Sequence, residues 1–262
     1  MKLKSINMFM KHGVKDGAYR ARFRYRTYII GFYLSMQLHK LNFETDETFD
    51  ALAIEVGSDT ESVGYDYSPV DKLTFVINLP FDFNRYETVD CTQRSRYYIE
   101  LLQKGLLIAR RYKDIPYDEI MSYAKELEEM DFVYCWPFKN VLLREYGVKV
   151  KFTNVLSLYD YVLYFQAYEK KIPIPLCEGR VARTKPSNLD ISYISKKIEV
   201  EDNHIIIKDE FGHRLLTIDI KSLLKGKLNI EYAECPRPED KSFCEVFYRL
   251  QKNVRYDEYD LK

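Results

Sequence analysis

This 262-residue sequence lacks most of the motifs that identify a reaction. It has no Gly-rich phosphate-binding motif of the G-x-G-x-x-G or Walker A type, and no G-x-S-x-G turn for a serine nucleophile. Its four histidines are not spaced like paired metal ligands. We therefore expect no cofactor and no metal, and the sequence favours a protein that is not an enzyme.

Cysteine is scarce and scattered, with five residues in the whole chain. No two of them have the C-x-x-C spacing of a zinc site, and their odd number does not indicate a disulfide framework. We expect free thiols in a reducing cytoplasm. The five are Cys91, Cys135, Cys177, Cys235 and Cys244.

Long hydrophobic runs are also missing. The longest, residues 155–168, contains Asp160 and Gln166, whereas a helix that spans a bilayer needs about 20 mostly apolar residues. The first residues begin with lysines, as a signal peptide does, but Asn7 and Lys11 interrupt any apolar segment. We expect a cytoplasmic protein with no membrane partner.

Net charge is zero, because 40 basic residues balance 40 acidic ones. This balance argues against a nucleic-acid partner, which usually needs a clear basic excess. The charges are nevertheless separated along the chain. Residues 1–43 carry nine Lys or Arg and one Asp, a net charge of +8, and residues 44–71 carry nine acids and no base, a net charge of −9.

An alternating pattern lies inside the basic segment. From Tyr19 to Thr27, aromatic and small residues alternate with arginines, which predicts a strand with one arginine face. Gly31 then marks a bulge or bend. We favour pairing of this face with the acids of the next strand, with a protein partner or a nucleic acid as alternatives. The arginines are Arg20, Arg22, Arg24 and Arg26.

The remaining patterns predict an α+β fold. Residues 49–56 and 73–79 are expected as further strands of an antiparallel meander, followed by helices over 96–112 and from Pro116. Residues 156–168 fit helix or strand, and we favour strand. The proline-rich stretch at 172–175 divides the chain into domain 1–172, an antiparallel sheet with two helices, and domain 173–262, a smaller β-rich module with a terminal helix.

The acidic segment 57–71 is expected to be an exposed loop that binds another protein. Acids steer a partner towards the surface, and tyrosines provide large, stiff contacts. Tyrosine is abundant, with 23 residues against one Trp. The expected function is surface occlusion of a partner, as in immunity proteins that antagonise toxins. The predicted contact residues are Asp59, Glu61, Tyr65, Asp66, Tyr67 and Asp71.

A loose nuclease-like pattern gives the second alternative function. Asp209 is followed by Asp219 and Lys221, and metal-dependent nucleases can place an acid and an acid-x-Lys pair on neighbouring strands. A hairpin with polar residues facing outward gives the same pattern. A metal-dependent hydrolase or nuclease thus stays an alternative to the protein-binding function.

Overall fold

The computed structural model describes residues 1–67, 73–170, 172–187, 191, 194, 197–236 and 238–252. The chain forms two compact units, Met1–Tyr134 and Cys135–Lys262. The predicted α+β class is confirmed. None of the helices in the described ranges is long and apolar enough to cross a membrane.

In its described residues, the first unit combines one four-stranded sheet with four helices. The strand order is β1-β2-β4-β3. The elements are β1 (Ser5–Met10), α1 (Gly17–Leu41), β2 (Ala51–Val56), β3 (Ser62–Tyr67), β4 (Leu73–Leu79), α2 (Phe83–Thr88), α3 (Cys91–Ala109) and α4 (Tyr117–Glu129).

Three strands of this sheet run parallel, which differs from the expected meander. β1 pairs with β2, and β2 with β4, in parallel, and only β3 runs antiparallel to its neighbour β4. Parallel neighbours need a long crossover connection, and α1 supplies the one between β1 and β2. The predicted strands at 49–56 and 73–79 correspond to β2 and β4.

The predicted arginine strand is wrong, because Tyr19–Thr27 lies inside helix α1. Asp16 caps the helix by accepting a hydrogen bond from the backbone N–H of Tyr19. Phe23, Ile30 and Leu34 are fully buried, at helical rather than alternating spacing. Arginine is a good helix former, so the alternation does not oppose a helix that is stabilised by packing.

Gly31 allows α1 to approach β1 closely, and it forms no bulge. A Cβ atom at this position would lie 2.7 Å from the carbonyl oxygen of Ile6. The hydroxyl of Thr27, one turn earlier, lies 3.4 Å from the carbonyl oxygen of Met8. Helix α1 therefore covers the outer edge of β1.

Tyrosine contributes to the core of this unit. Tyr86 and Tyr98 are buried, and their hydroxyl groups lie 2.9 Å apart. The ring of Phe81 contacts that of Tyr86 at 5.2 Å and that of Phe23 at 5.7 Å. Part of the tyrosine excess thus serves packing.

The second unit contains two four-stranded sheets, with strand orders β5-β6-β7-β8 and β12-β11-β10-β9. Its last helix, α6, packs on β8 and β12. The elements are β5 (Tyr134–Leu143), β6 (Val148–Leu156), β7 (Tyr161–Glu169), β8 (Pro175–Thr184), β9 (Lys197–Glu201), β10 (His204–Lys208), β11 (Arg214–Asp219), α5 (Ile220–Leu223), β12 (Ile230–Tyr232) and α6 (Lys241–Lys252).

The strand preferred for 156–168 is confirmed over 161–168 by β7, while Leu156 ends β6 and residues 157–160 connect the two strands. The predicted β-rich C-terminal module with a terminal helix is confirmed by β8 to α6. Residues 172 and 173 lie between β7 and β8, which are neighbours in one sheet. The compact units meet instead at residues 134 and 135. The division into domains 1–172 and 173–262 stays a prediction.

The expectation that all thiols are free is wrong for one pair, since Cys235 and Cys244 form a disulfide. Their Cα atoms are 5.3 Å apart, within the usual range for this bond. Cys235 follows β12 and Cys244 lies in α6, so the bond links these two parts of the chain. Cys135 and Cys177 are free.

Candidate functional site

The segment expected to bind a partner contains an edge strand. β3 pairs with β4 on one side and is the last strand of its sheet. Tyr65, Asp66 and Tyr67 belong to β3, while Asp59 and Glu61 precede it. Asp71 lies outside the described residues. The expected loop is therefore partly a strand.

The hydrogen bonds of β4 show which backbone groups of β3 point away from the sheet. The carbonyl groups of Leu73 and Leu79 accept hydrogen bonds from Asp50 and Gly57, on the β2 side of the sheet. Backbone groups alternate in direction along a strand, so Thr74, Val76 and Asn78 point towards β3. By register, these three residues pair with Asp66, Gly64 and Ser62.

It follows that the N–H and C=O groups of Val63 and Tyr65 point away from the sheet. No backbone hydrogen bond beyond the β3–β4 ladder is made by residues 62–66 within the described part of the chain. The opposite edge of the sheet, at β1, lies under α1. We call the row of outward backbone groups on β3 the free edge.

The two faces of the sheet differ. One face is buried: Ile54 and Ile77 are fully covered, and a Cβ atom on Gly105 of α3 would lie 2.6 Å from the Ile54 side chain. The other, the open face, borders a cavity of about 600 Å³. Register places three rows of residues on it: Ser5–Ala51–Thr74–Asp66, Asn7–Ala53–Val76–Gly64 and Phe9–Glu55–Asn78–Ser62.

Within the described part of the chain, the charged residues that line the cavity are both acidic. They are Glu55 and Asp66, and no Lys or Arg is among those lining residues. Neither carboxylate takes part in an ion pair with the described residues. On this face Asp66 lies opposite Thr74, whereas Glu55 lies opposite Phe9. The carboxylate oxygens of both acids can accept hydrogen bonds.

The buried-face side of β3 carries paired charges. Glu61 forms an ion pair with Lys104 at 2.7 Å, and this hydrogen bond lowers the pKa of the glutamate. Lys113 lies 2.5 Å from Asp46 and 2.7 Å from the hydroxyl of Thr48. The bonds to Lys113 and Thr48 lower the pKa of Asp46 to about 2.

Tyr65 belongs to the same cluster. Its hydroxyl lies 3.3 Å from that of Thr48, and its ring centroid lies 5.5 Å from the ammonium group of Lys113. Hydrogen bonding to Lys113, and then to Thr48, holds the pKa of this phenol below its usual value. The side chain remains 40% exposed. Tyr65 therefore presents a fixed aromatic ring beside the free edge.

The arginines predicted to form one face are distributed around α1. Arg24 is exposed and Arg26 is buried, and the guanidinium group of Arg20 donates a hydrogen bond to the carbonyl of Lys15. Helical geometry turns each residue by about 100°, so Arg22 and Arg24 cannot share a face. The strand face proposed for pairing or nucleic-acid contact does not exist.

Two acids expected to pair with these arginines are bound by lysines instead. Asp50 is almost fully buried and lies 2.9 Å from the ammonium group of Lys4. Asp46 is paired with Lys113. The separation of charge along the sequence is thus balanced partly by lysines that come from other elements.

The residues of the nuclease-like pattern have structural roles. Asp209 accepts hydrogen bonds from the backbone N–H groups of Phe211 and His213 in the turn after β10. Asp219 caps α5 by accepting from the N–H groups of Lys221 and Ser222. Lys208 pairs with Arg214 and His204 with Asp219, so the two acids lie at opposite ends of the hairpin.

Sequence reasoning missed the open face because β1 was not identified. Residues 5–8 alternate between polar and apolar residues, which is the usual signal of a strand with one buried face, and burial alternates over residues 5–10. The lysines around this segment are also typical of the start of a signal peptide. In β4, Thr74 and Asn78 are polar residues that alternate with the buried apolar ones, so their face of the strand could be predicted from sequence.

Comparisons with protein-family models, with curated proteins and with solved structures give no match for this chain.

Proposed function

We propose that this protein binds another protein, and that a strand of the partner adds to the free edge of β3. The observation that carries the proposal is the pair of outward-facing residues, Val63 and Tyr65, on a strand whose other side is fully paired. Such groups are a template for an added strand, and main-chain hydrogen bonds then supply affinity.

The composition of β3 supports this use. Natural proteins commonly protect exposed edges with lysine, proline or a bulge. β3 has the sequence SVGYDY, which contains neither residue, and its register with β4 is regular over all six positions. Its one charged residue, Asp66, has its side chain on the open face, so it does not protect the edge.

The predicted contact residues lie in or directly before β3, except Asp71, which is outside the described residues. Asp59 and Asp66 are exposed around β3, where acids would speed the approach of a basic partner. Glu61 is also exposed there, paired with Lys104. Tyr65 adds an aromatic ring that its neighbours hold in place, and such rings are common energetic centres of interfaces. Binding of this kind would cover part of the partner's surface. Toxin antagonism and a cytoplasmic location stay predictions.

The test is a pair of variants at Val63. Val63→Pro removes the outward N–H but no ladder bond, because proline is tolerated at an edge position whose N–H faces solvent. Val63→Ala removes the same side chain and keeps the N–H. We expect a stoichiometric partner isolated from native cells with the wild-type chain to be retained by Val63→Ala and lost by Val63→Pro.

Circular dichroism and thermal unfolding of both variants confirm that they are folded. Equal recovery of the partner by the two variants would contradict edge binding. Failure of the folded wild-type chain to retain any stoichiometric protein would contradict the proposed function as a whole.

A further inference from the structure

We propose that the partner strand carries Lys or Arg at the alternate positions that turn towards the open face. This inference rests on the proposed function and specifies the chemistry of the partner. It follows from the difference between the two sides of β3, because an added strand places its side chains alternately on each side.

The geometry of β3 leaves room for long side chains on the open face. An added strand would lie about 4.8 Å from β3, beside Ser62, Gly64 and Asp66. No atom lies within 4 Å of the position that a Cβ atom on Gly64 would occupy. A side chain from the partner can therefore cross β3 at Gly64 and reach β4.

The chemistry of this path suits a cation. Asp66 lies on β3 itself, next to the added strand, and Thr74 and Asn78 offer oxygen acceptors on β4. The apolar surface of Val76 lies between them and can contact the methylene groups of Lys or Arg. Glu55 lies on β2, about 10 Å beyond β3, and contributes to the negative potential.

The other side of β3 disfavours a cation. There an added side chain would meet the ring of Tyr65 and the ammonium group of Lys113. Lys104 lies on the same side, paired with Glu61. Basic residues are thus favoured at every second position of the partner strand and disfavoured between, where apolar or aromatic residues fit.

The experiment is a selection from a display library of random peptides of about ten residues, with the full chain as the target. We expect the selected peptides to have Lys or Arg at alternate positions and strand-forming residues between them. Asp66→Asn should weaken the best peptide about two- to fivefold, which lies within the range for one cross-strand ion pair. Glu55→Gln, its matched control farther from the edge, should weaken that peptide less than twofold.

Peptides with no alternating basic residues would overturn the inference, as would unchanged affinity for Asp66→Asn. If the selected peptides had no alternating basic residues but failed to bind Val63→Pro, edge binding would stand and only the inference about basic residues would fail. If Val63→Pro bound them as well as the wild type, edge binding itself would fail. Dimerisation of the chain alone that Val63→Pro abolishes would assign the edge to a second copy and also overturn the inference.

Discussion

At the scale of single residues, Lys113 organises the surface beside the free edge. Its ammonium group contacts Asp46 and Thr48, and it lies close to the ring of Tyr65. The three partners come from the connection before β2 and from β3. One lysine after α3 therefore holds together two segments that are distant in sequence. Such a constraint reduces the entropy that the edge would lose on binding.

We predict that the stability contributed by Asp46 is lost in acid. Its folded pKa of about 2 lies below the ordinary value of 3.8, so the contribution is present above about pH 4 and disappears as the pH falls through about 2. Because the Asp46 carboxylate is exposed to solvent, the effect should stay below about 1 kcal/mol. NMR titration of the Asp46 carboxylate measures its folded pKa directly.

Lys113→Met tests the cause of this shift. The substitution should return the pKa of Asp46 towards 3.8, while Lys125→Met, at a distant exposed ion pair with Glu129, should leave it unchanged. An unaltered titration of Asp46 in Lys113→Met would show that Lys113 does not cause the shift.

At the scale of elements, the contact between α1 and β1 decides which edge of the sheet is free. The close approach depends on Gly31, since any side chain there would strike the Ile6 carbonyl. β3 has no such cover within the described residues. The asymmetry of the sheet thus depends on a residue that is far from the proposed binding surface.

We predict that Gly31→Ala destabilises the protein by about 1–3 kcal/mol, as overpacking typically does, although alanine favours a helix. Gly64→Ala is the matched control, because its Cβ would meet no atom within 4 Å. It should change the free energy of unfolding by less than about 0.5 kcal/mol. Denaturant unfolding of both variants measures the difference, and equal effects would argue against the close contact.

The elements also show what the sequence could and could not predict. β2, β4, α4 and β7 were identified because their apolar periods agree with their structure. Residues 19–27 were misassigned because arginine is compatible with helix and strand alike, so the alternating pattern was not opposed by propensity. Parallel pairing was missed because it depends on α1 being a crossover helix, and hence on the same error.

The candidate site was predicted in part. The segment around Tyr65 and Asp66 was identified from its acids and tyrosines, but its edge strand was not, since Gly, Ser and Asp also indicate loops. The open face could not be assembled from sequence, because it joins β1, β2, β4 and β3. Only the parallel register brings Asn7 and Asn78 to the same face.

At the scale of the whole molecule, the chain combines two compact units, a neutral net charge and the disulfide between Cys235 and Cys244. Neutrality means that attraction to a partner depends on local charge, such as that around β3, and not on a global field. The disulfide lies in the second unit, where it ties the segment after β12 to α6. It closes a short loop, with a sequence separation of nine residues.

We predict that Cys244→Ser lowers the stability of the second unit by about 2–3 kcal/mol, the cost expected for opening a loop of this size. Amide hydrogen exchange should increase around Phe247 and Leu250, the buried residues of α6. Cys135→Ser, at an exposed free thiol, is the control and should have little effect. Identical stability of the wild type with and without reductant would contradict this prediction.

A sheet with one covered edge and one available edge can accept one additional strand. A strand added to β3 extends the sheet by one member, and α1 prevents growth from the far side at β1. Strand addition at β3 would therefore not propagate through this sheet into a fibre. The helix over β1 would limit edge binding at this sheet to one partner strand.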